Sequence, residues 1–330
     1  VLFITNRVLK QSALSRAGRS ITFDLADNQA LTSLFYCERN GPNDYTEIMS
    51  DAFLERLQQA PVKNLLIFIH GFNNLPEFSI FQRAQRLQEM FDAHEANLVQ
   101  VVPLIWPCYD PNARNIVRNY SDDSRTADAS RAAFARLLDR LALHQRALYE
   151  QVLAGQAERC LIRINLLAHS MGNRVLRSAM QYWSESYLHS HPPLLFRNTF
   201  MVAADVSNDT LESSADGRYI NSASKNVLVY HSADDLAMRA SKAANAGEAS
   251  RRLGHTGPYD MTKVPANVWS FDCDAVAWQY DPQAGHTYFL DDPAQAPGAV
   301  FRHLLQAIQL GRPTVPVGTP PLVRATTLPA

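Results

Sequence analysis

Residues Cys160–Leu167 read CLIRINLL and run directly into Ala168-His169-Ser170-Met171-Gly172. The first stretch is an apolar, strand-like run, and Met171–Leu188 has the spacing of a helix. A serine at a strand-to-helix junction, with small residues two before and two after it, is what a nucleophile elbow requires: a sharp, strained turn that presents the hydroxyl at the end of a sheet. Ala168 stands where the strict G-x-S-x-G pattern has its first glycine, and it is small enough to let strand and helix approach. His169 and Gly172 complete the turn. The pattern alone is weak in a chain rich in Ala and Ser, because a serine near a helix start also serves as a cap. Its surroundings decide.

Upstream, Leu65–Ile69 (LLIFI) is an unbroken apolar run, the mark of a strand buried on both faces of a parallel sheet. Helical spacing over Tyr45–Ala60, Phe78–His94, Ala127–Leu153, Leu236–Ala246 and Ala299–Leu310 alternates with strand-like Leu98–Ile105, Thr199–Ala204, Val227–His231 and Val268–Cys273. Such alternation predicts an α/β fold, a mainly parallel sheet with helices on both faces. Val1–Asn6, Ile21–Leu25 and Leu31–Cys37 predict an opening meander of antiparallel strands. One domain is expected over residues 1–310. Cys108–Arg125 is polar and follows a strand's carboxyl end, so it is expected to be a lid or rim loop. Gly311–Ala330, rich in Pro, Thr and Val, is expected to be a flexible or surface-draped tail.

Composition narrows the function classes. Lys and Arg number 31 against 32 Asp and Glu, a net charge of −1, with no long like-charge block. That argues against a nucleic-acid or membrane-surface role. No apolar run approaches the ~20 residues of a membrane helix, so no stable membrane insertion is expected. No basic, apolar leader opens the sequence, and the expectation is a cytoplasmic protein; the first residue is Val1 rather than Met, which leaves export open. Cys37, Cys108, Cys160 and Cys273 have no C-x-x-C spacing, and His189 and His191 alone make no metal site. No metal and no cofactor are expected. The cysteines read as buried thiols, with Cys37 and Cys108 the pair to check for a disulfide.

The remaining chemistry falls at strand ends. His70-Gly71-Phe72 follows LLIFI, where this kind of sheet supplies one oxyanion donor; the candidates are the N–H groups of Phe72 and Met171, with the helix start favouring developing negative charge. Gly71 allows the close approach, and His70 is read as shaping the loop. A general base must come late in the chain, and His286, in Ala284-Gly285-His286-Thr287-Tyr288, lies after the last strand and before the last helix. His231 and His255 compete for the role. The acid that orients the base is sought just past a strand. Asp235 leads, with Asp234 and Asp205 as alternatives.

With these residues in place, the chain resembles the α/β-hydrolase superfamily, and within it an uncharacterised bacterial family of serine hydrolases. The resemblance rests on Thr5-Asn6-Arg7, His70-Gly71-Phe72, Trp106-Pro107, the elbow Ala168 through Asn173, Tyr230, Ser232, Asp235 and Ala237 of a Y-x-S-x-x-D-x-A pattern, Arg252–Gly254, and Gly285–Phe289. It covers roughly residues 1–310. It implies an esterase- or lipase-like serine hydrolase and favours Asp235 over Asp234; Ala204 departs from it, standing where the family usually has Pro. The expected reaction is cleavage of a small or medium carboxylic ester through an acyl-enzyme on Ser170, His286 and Asp235. The alternatives are an amidase, peptidase or acyltransferase with the same triad, or a binding protein of hydrolase fold. Tyr109, Trp183, Tyr187 and Tyr219 are weighed as pocket-lining residues, with packing roles the commoner use of such side chains. Oligomeric state is not read from the sequence.

Overall fold

A computed structural model describes residues 1–109, 116–156, 162–245, 251–281, 283–291, 296–315 and 324–329. In chain order the strands are β1 (Leu2–Arg7), β2 (Ser20–Ile21), β3 (Ala30–Gly41), β4 (Asp44–Glu47), β5 (Asn64–Ile69), β6 (Val99–Ile105), β7 (Arg163–His169), β8 (Phe196–Val202), β9 (Ser224–His231), β10 (Val268–Asp272) and β11 (Ala325–Thr327). The helices are α1 (Ser50–Gln59), α2 (Phe81–His94), α3 (Ile116–Ala129), α4 (Arg131–Leu153), α5 (Gly172–Tyr182), α6 (Arg218–Ala223), α7 (Leu236–Ala244), α8 (Leu253–Thr256), α9 (Asp274–Tyr280) and α10 (Ala299–Leu310).

All the strands join one sheet in the order β11-β10-β9-β8-β7-β5-β6-β1-β3-β4-β2. From β11 to β1 neighbouring strands are parallel; β3, β4 and β2 extend the sheet antiparallel. The two-residue period of LLIFI explains the layering. Leu65, Ile67 and Ile69 pack on one face beside residues of α1, α4 and α5, whereas Leu66 and Phe68 pack on the other beside α2, α9 and α10. Each side chain so buried contributes about 1.5–3 kcal/mol, enough to offset the roughly 1–2 kcal/mol of backbone entropy lost per ordered residue. A third apolar cluster, with Phe3, Phe23, Phe35, Tyr45 and Phe81, closes the antiparallel end. No helix among the described residues is long and apolar enough to cross a membrane.

Several sequence expectations need correction. The opening segment is no simple meander: β1 pairs parallel with β6, and β4 lies between β3 and β2. Tyr45–Glu47 is strand rather than helix, because the turn at Pro42-Asn43, with Asn43 at φ 56°, folds Asp44–Glu47 back onto β3. The single helix expected over Ala127–Leu153 is broken at Ser130, whose Oγ donates to Thr126 O at 2.9 Å and accepts from Asn6 Nδ2 at 3.0 Å; such back-bonding competes with the helix ladder. Much of the expected rim loop Cys108–Arg125 is α3, and its residues 110–115 lie outside the described ones. In the expected tail, Ala325–Thr327 is the edge strand β11, held where Arg324 donates to Pro265 O, Val268 O and Met261 O; residues 316–323 and 330 lie outside the description. Cys37 and Cys108 are buried free thiols, not a disulfide, and Cys160 lies outside the described residues.

Thr5-Asn6-Arg7 acquires a physical meaning. Thr5 Oγ1 donates to Ile105 O (2.9 Å), and Arg7 donates to Cys108 O (3.0 Å) and Asn28 Oδ1 (2.8 Å). The motif ties the chain that leaves β6 to the end of β1.

Candidate active site

β7 ends at His169 and α5 begins at Gly172. Between them Ser170 has φ 54°, in the left-handed region that a non-glycine residue enters at a cost. The surrounding backbone holds it there. Its N–H donates to Val202 O at 2.9 Å, and its carbonyl accepts from Asn173 N at 3.0 Å and Asp205 N at 3.2 Å. Buried Asn173 adds side-chain bonds from Nδ2 to Ala168 O (2.8 Å) and Ser170 O (3.1 Å). Gly172 is dictated by close approach, since a Cβ there would lie 2.6 Å from His70 O and 2.7 Å from Ile69 O. Gly71 is confined likewise, since a Cβ there would lie 2.9 Å from the Ser170 Cβ. The two loops are thus in contact at Ser170.

The His70 loop is rigidly supported. Trp106 N donates to His70 Nε2 at 3.1 Å, so the ring proton is on Nδ1, which donates to Gly71 O at 2.8 Å. The ring also stacks on Trp106 at 5.2 Å. Both nitrogens are engaged, and burial drives the imidazole pKa down to about 3. His70 is therefore a neutral brace and has no lone pair to offer as a base. Asn74 Nδ2 donates to Gly71 O (3.0 Å) and Phe72 O (2.8 Å), while Arg83 donates to Asn74 Oδ1. Among the described residues, the N–H groups of Phe72 and Met171 have no hydrogen-bond acceptor.

Of the acid candidates, Asp235 meets the histidine. His286 Nδ1 donates to Asp235 Oδ2 at 2.7 Å, and Asp235 is fully buried. Its other oxygen, Oδ1, caps α7 by accepting from Met238 N at 3.0 Å. Asp205 is otherwise committed: it accepts from Tyr120 Oη (2.8 Å) and Ser241 Oγ, and lies 3.3 Å from Arg252 Nε. Asp234 faces outward and pairs with Arg239 at 3.2 Å. His255 bonds Ala233 O at 3.0 Å, and neither it nor His231 lines the cavity at Ser170.

The loop carrying His286 is fastened by a residue that sequence reasoning did not single out. Asp281 accepts from His286 N (3.0 Å) and Thr287 N (2.8 Å). Burial opposes its ionisation, but the N–H groups of Thr287, His286 and Ala284 outweigh it and hold the carboxyl below the ordinary carboxylate range. An aspartate a few residues before a histidine in a loop has no periodic signature that marks this role. His169 Nε2 donates to the His286 carbonyl at 3.1 Å, and the two rings lie 4.7 Å apart.

Ser170, His169, His286 and the Gly71–Asn74 loop line one cavity of about 310 Å³. Ala237, Met238, Ala240 and Ala244 of α7 form an apolar wall, and Tyr120 of α3 packs edge-on against Phe72 at 5.7 Å. Among the described residues no hydrogen bond joins Ser170 Oγ to His286, although both face this space. Tyr109, Trp183, Tyr187 and Tyr219 do not line it; Trp183 and Tyr219 are buried in the main core. Tyr120 takes the place sought for them, and its helix was not expected. A larger groove of about 880 Å³, with Tyr36, Asp51, Arg140 and Tyr187, contains none of the candidate catalytic or oxyanion residues.

The buried imidazoles set a pH window for stability. His70 has a folded-state pKa of about 3 against an ordinary value of 6.5, so the unfolded chain takes up the proton first. Stability held by the neutral ring is complete above the unfolded value and is lost as pH falls toward the folded one. His169, pushed down by burial and by neighbouring His286, acts in the same direction. Urea midpoints are expected to start falling as pH drops below about 6.5, before ordinary carboxylates titrate. A midpoint that stays flat until about pH 5 removes this role for the two histidines.

A family described as "Alpha/beta hydrolase of unknown function (DUF900)" matches residues 46–297, well over half of the chain. No curated protein matches. Among solved structures, phospholipase PlaB from Legionella pneumophila is similar at 12% identity over 68% of this chain and 40% of that one, with a TM-score of 0.28. The same phospholipase in complex with thio-NAD is similar at 15% identity over 66% and 40% of the two chains, with a TM-score of 0.25. Est1E from Butyrivibrio proteoclasticus, bound to ferulic acid, is similar at 11% identity over 77% of this chain and 89% of that one, with a TM-score of 0.28. The chain spans about 40% of the phospholipase's length. On the family match, the chain belongs to the DUF900 family of α/β-hydrolases.

Proposed function

We propose that the protein hydrolyses carboxylic esters through an acyl-enzyme on Ser170. The observation that carries this reading is the 2.7 Å contact from His286 Nδ1 to buried Asp235, on the wall of the cavity onto which the strained Ser170 turn opens. A proton held on Nδ1 leaves Nε2 as the basic nitrogen. Nε2 takes the Ser170 proton as Oγ attacks the ester carbonyl, and Asp235 stays ionised to stabilise the imidazolium. The absence of a resting bond between Ser170 and His286 is compatible with this step, because catalytic hydrogen bonds are often long before substrate binds. The acceptor-free N–H groups of Phe72 and Met171 take the developing oxyanion. Collapse expels the alcohol, which receives the proton from His286; water, activated by the same nitrogen, then releases the acid.

The apolar wall of small α7 side chains supports a short or medium acyl group. The test is a fluorophosphonate probe on purified protein, followed by p-nitrophenyl esters of graded acyl length and the matching anilides. Labelling with ester turnover that peaks at short or medium chains is expected. A folded protein that takes no label and turns over no ester overturns the proposal; anilides cleaved in preference to esters make it an amidase.

A further inference from the structure

The cavity at Ser170 contains a cation that the acyl-transfer steps leave unused. Arg83, in the first turn of α2, lines the same space as Ser170, His286 and Thr287. It donates to Asn74 Oδ1, and among the described residues no carboxylate forms an ion pair with it. Three other sheltered arginines each have a carboxylate, Arg252 with Asp205 at 3.3 Å, Arg174 with Asp128 at 2.7 Å and Arg19 with Glu47 at 2.6 Å, and buried Arg7 is held by Cys108 O and Asn28 Oδ1 away from this cavity. Arg83 is substantially withdrawn from water, and that burial lowers its proton affinity, opposed by the field of Asp281. Asp281 is itself engaged with the backbone N–H groups of His286 and Thr287. Asp205, the carboxylate among the described lining residues, is occupied by Tyr120, Ser241 and Arg252.

A guanidinium offers five N–H donors in a planar fork that matches a carboxylate or phosphate. One donor goes to Asn74. Withdrawing such a charge from water without a counter-ion costs free energy, and a ligand that brings the counter-charge recovers it. Ala237, Met238, Ala240 and Ala244 add uncharged side chains to the same lining. The cavity at Ser170 therefore combines a guanidinium with an apolar surface from α7.

We propose that Arg83 binds an anionic oxygen group, a carboxylate or a phosphate, carried by the ester a few bonds from its scissile carbonyl, so that the substrates are acidic esters. The proposal rests on the serine-hydrolase reading of this cavity. A purely structural Arg83, bracing Asn74 and the oxyanion loop, affects charged and neutral esters alike. The ratio of their kcat/KM values therefore separates the two roles.

The experiment measures hydrolysis by pH-stat on two matched pairs: monomethyl adipate against methyl hexanoate, and 2-(butyryloxy)ethyl phosphate against ethyl butyrate. Wild type is expected to favour the anionic member of at least one pair, and which pair responds distinguishes an acyl-side carboxylate from an alcohol-side phosphate. Arg83→Gln is expected to lower the favoured ratio on the order of 30-fold, with Arg83→Lys retaining part of it. Asn74→Ala is expected to slow both members in step. Wild-type ratios at or below unity in both pairs, or a ratio that Arg83→Gln leaves unchanged, overturn the proposal, and the first of these needs no variant to fold. Should no ester turn over, titration calorimetry with adipate and glycerol phosphate, against adipamide and glycerol, reads the anion site alone. Anion-selective binding that Arg83→Gln weakens by a similar factor supports it, and binding indifferent to charge or to the substitution overturns it.

Discussion

Replacing Ser170 by Ala is expected to lower kcat/KM for p-nitrophenyl butyrate by about 10⁴-fold or more and to abolish fluorophosphonate labelling, with the thermal midpoint unchanged. The substitution removes only Oγ, which makes no hydrogen bond among the described residues. The backbone bonds that hold the turn, from Ser170 N to Val202 O and into Ser170 O, do not depend on the side chain. Alanine tolerates φ 54° about as well as serine does, since neither is branched at Cβ. Whatever rate survives comes from the oxyanion donors and from binding. A folded variant that retains roughly a tenth of the wild-type rate sinks the assignment of Ser170 as nucleophile.

Asp235→Asn should separate two duties that one carboxylate performs. Oδ1 caps α7 through Met238 N, and an amide oxygen accepts that bond equally well. Oδ2 receives His286 Nδ1–H at 2.7 Å, and an amide NH₂ turned toward that nitrogen forces the imidazole proton onto Nε2, where it blocks base catalysis. The expected result is a loss of about 10³–10⁴-fold in kcat with little change in stability. Asp235→Ala should lose the same activity and, in addition, about 1 kcal/mol of stability with the missing cap. Denaturant melts alongside single-turnover kinetics check both. Equal stability losses in the two variants would show that the cap bond matters little, and an active Asp235→Asn enzyme would remove Asp235 from the triad.

The legible parts of the molecule were those governed by burial on two faces or by a motif tied to a strand end. LLIFI announces a central strand because a parallel strand under helices has no polar side. Ser170, Asp235 and His286 could be named as candidates from strand ends and chain order, although α9 intervenes between β10 and His286; the structure brings Asp235 and His286 into contact, while Asp205 is spent on Tyr120, Ser241 and Arg252. α3 was not legible. Its inward face carries the polar Asn119, Tyr120, Asp123 and Ser124, with Tyr120 donating to Asp205 and Asp123 accepting from Tyr109 N, so no apolar stripe marks the helix. Arg83 and Asp281 escaped for a related reason: a charge that acts by facing a cavity or gathering backbone N–H groups leaves no period in the sequence. The hairpin at Pro42-Asn43 was hidden because Tyr45 in its second strand and Ile48 just beyond it run into a plausible helical stripe.

β11 has three residues, yet Ser270 N donates to Arg324 O (2.7 Å) and Leu328 N to Asp272 O (2.8 Å), so it occupies the hydrogen-bonding edge of β10. β10 is part of the all-parallel, heavily apolar half of the sheet, where an open edge is a template for another chain's strand. The antiparallel end needs no such cover, because short β2 finishes it with two residues. Ala325–Thr327 thus fills hydrogen bonds along an edge of β10 that another strand could otherwise pair with.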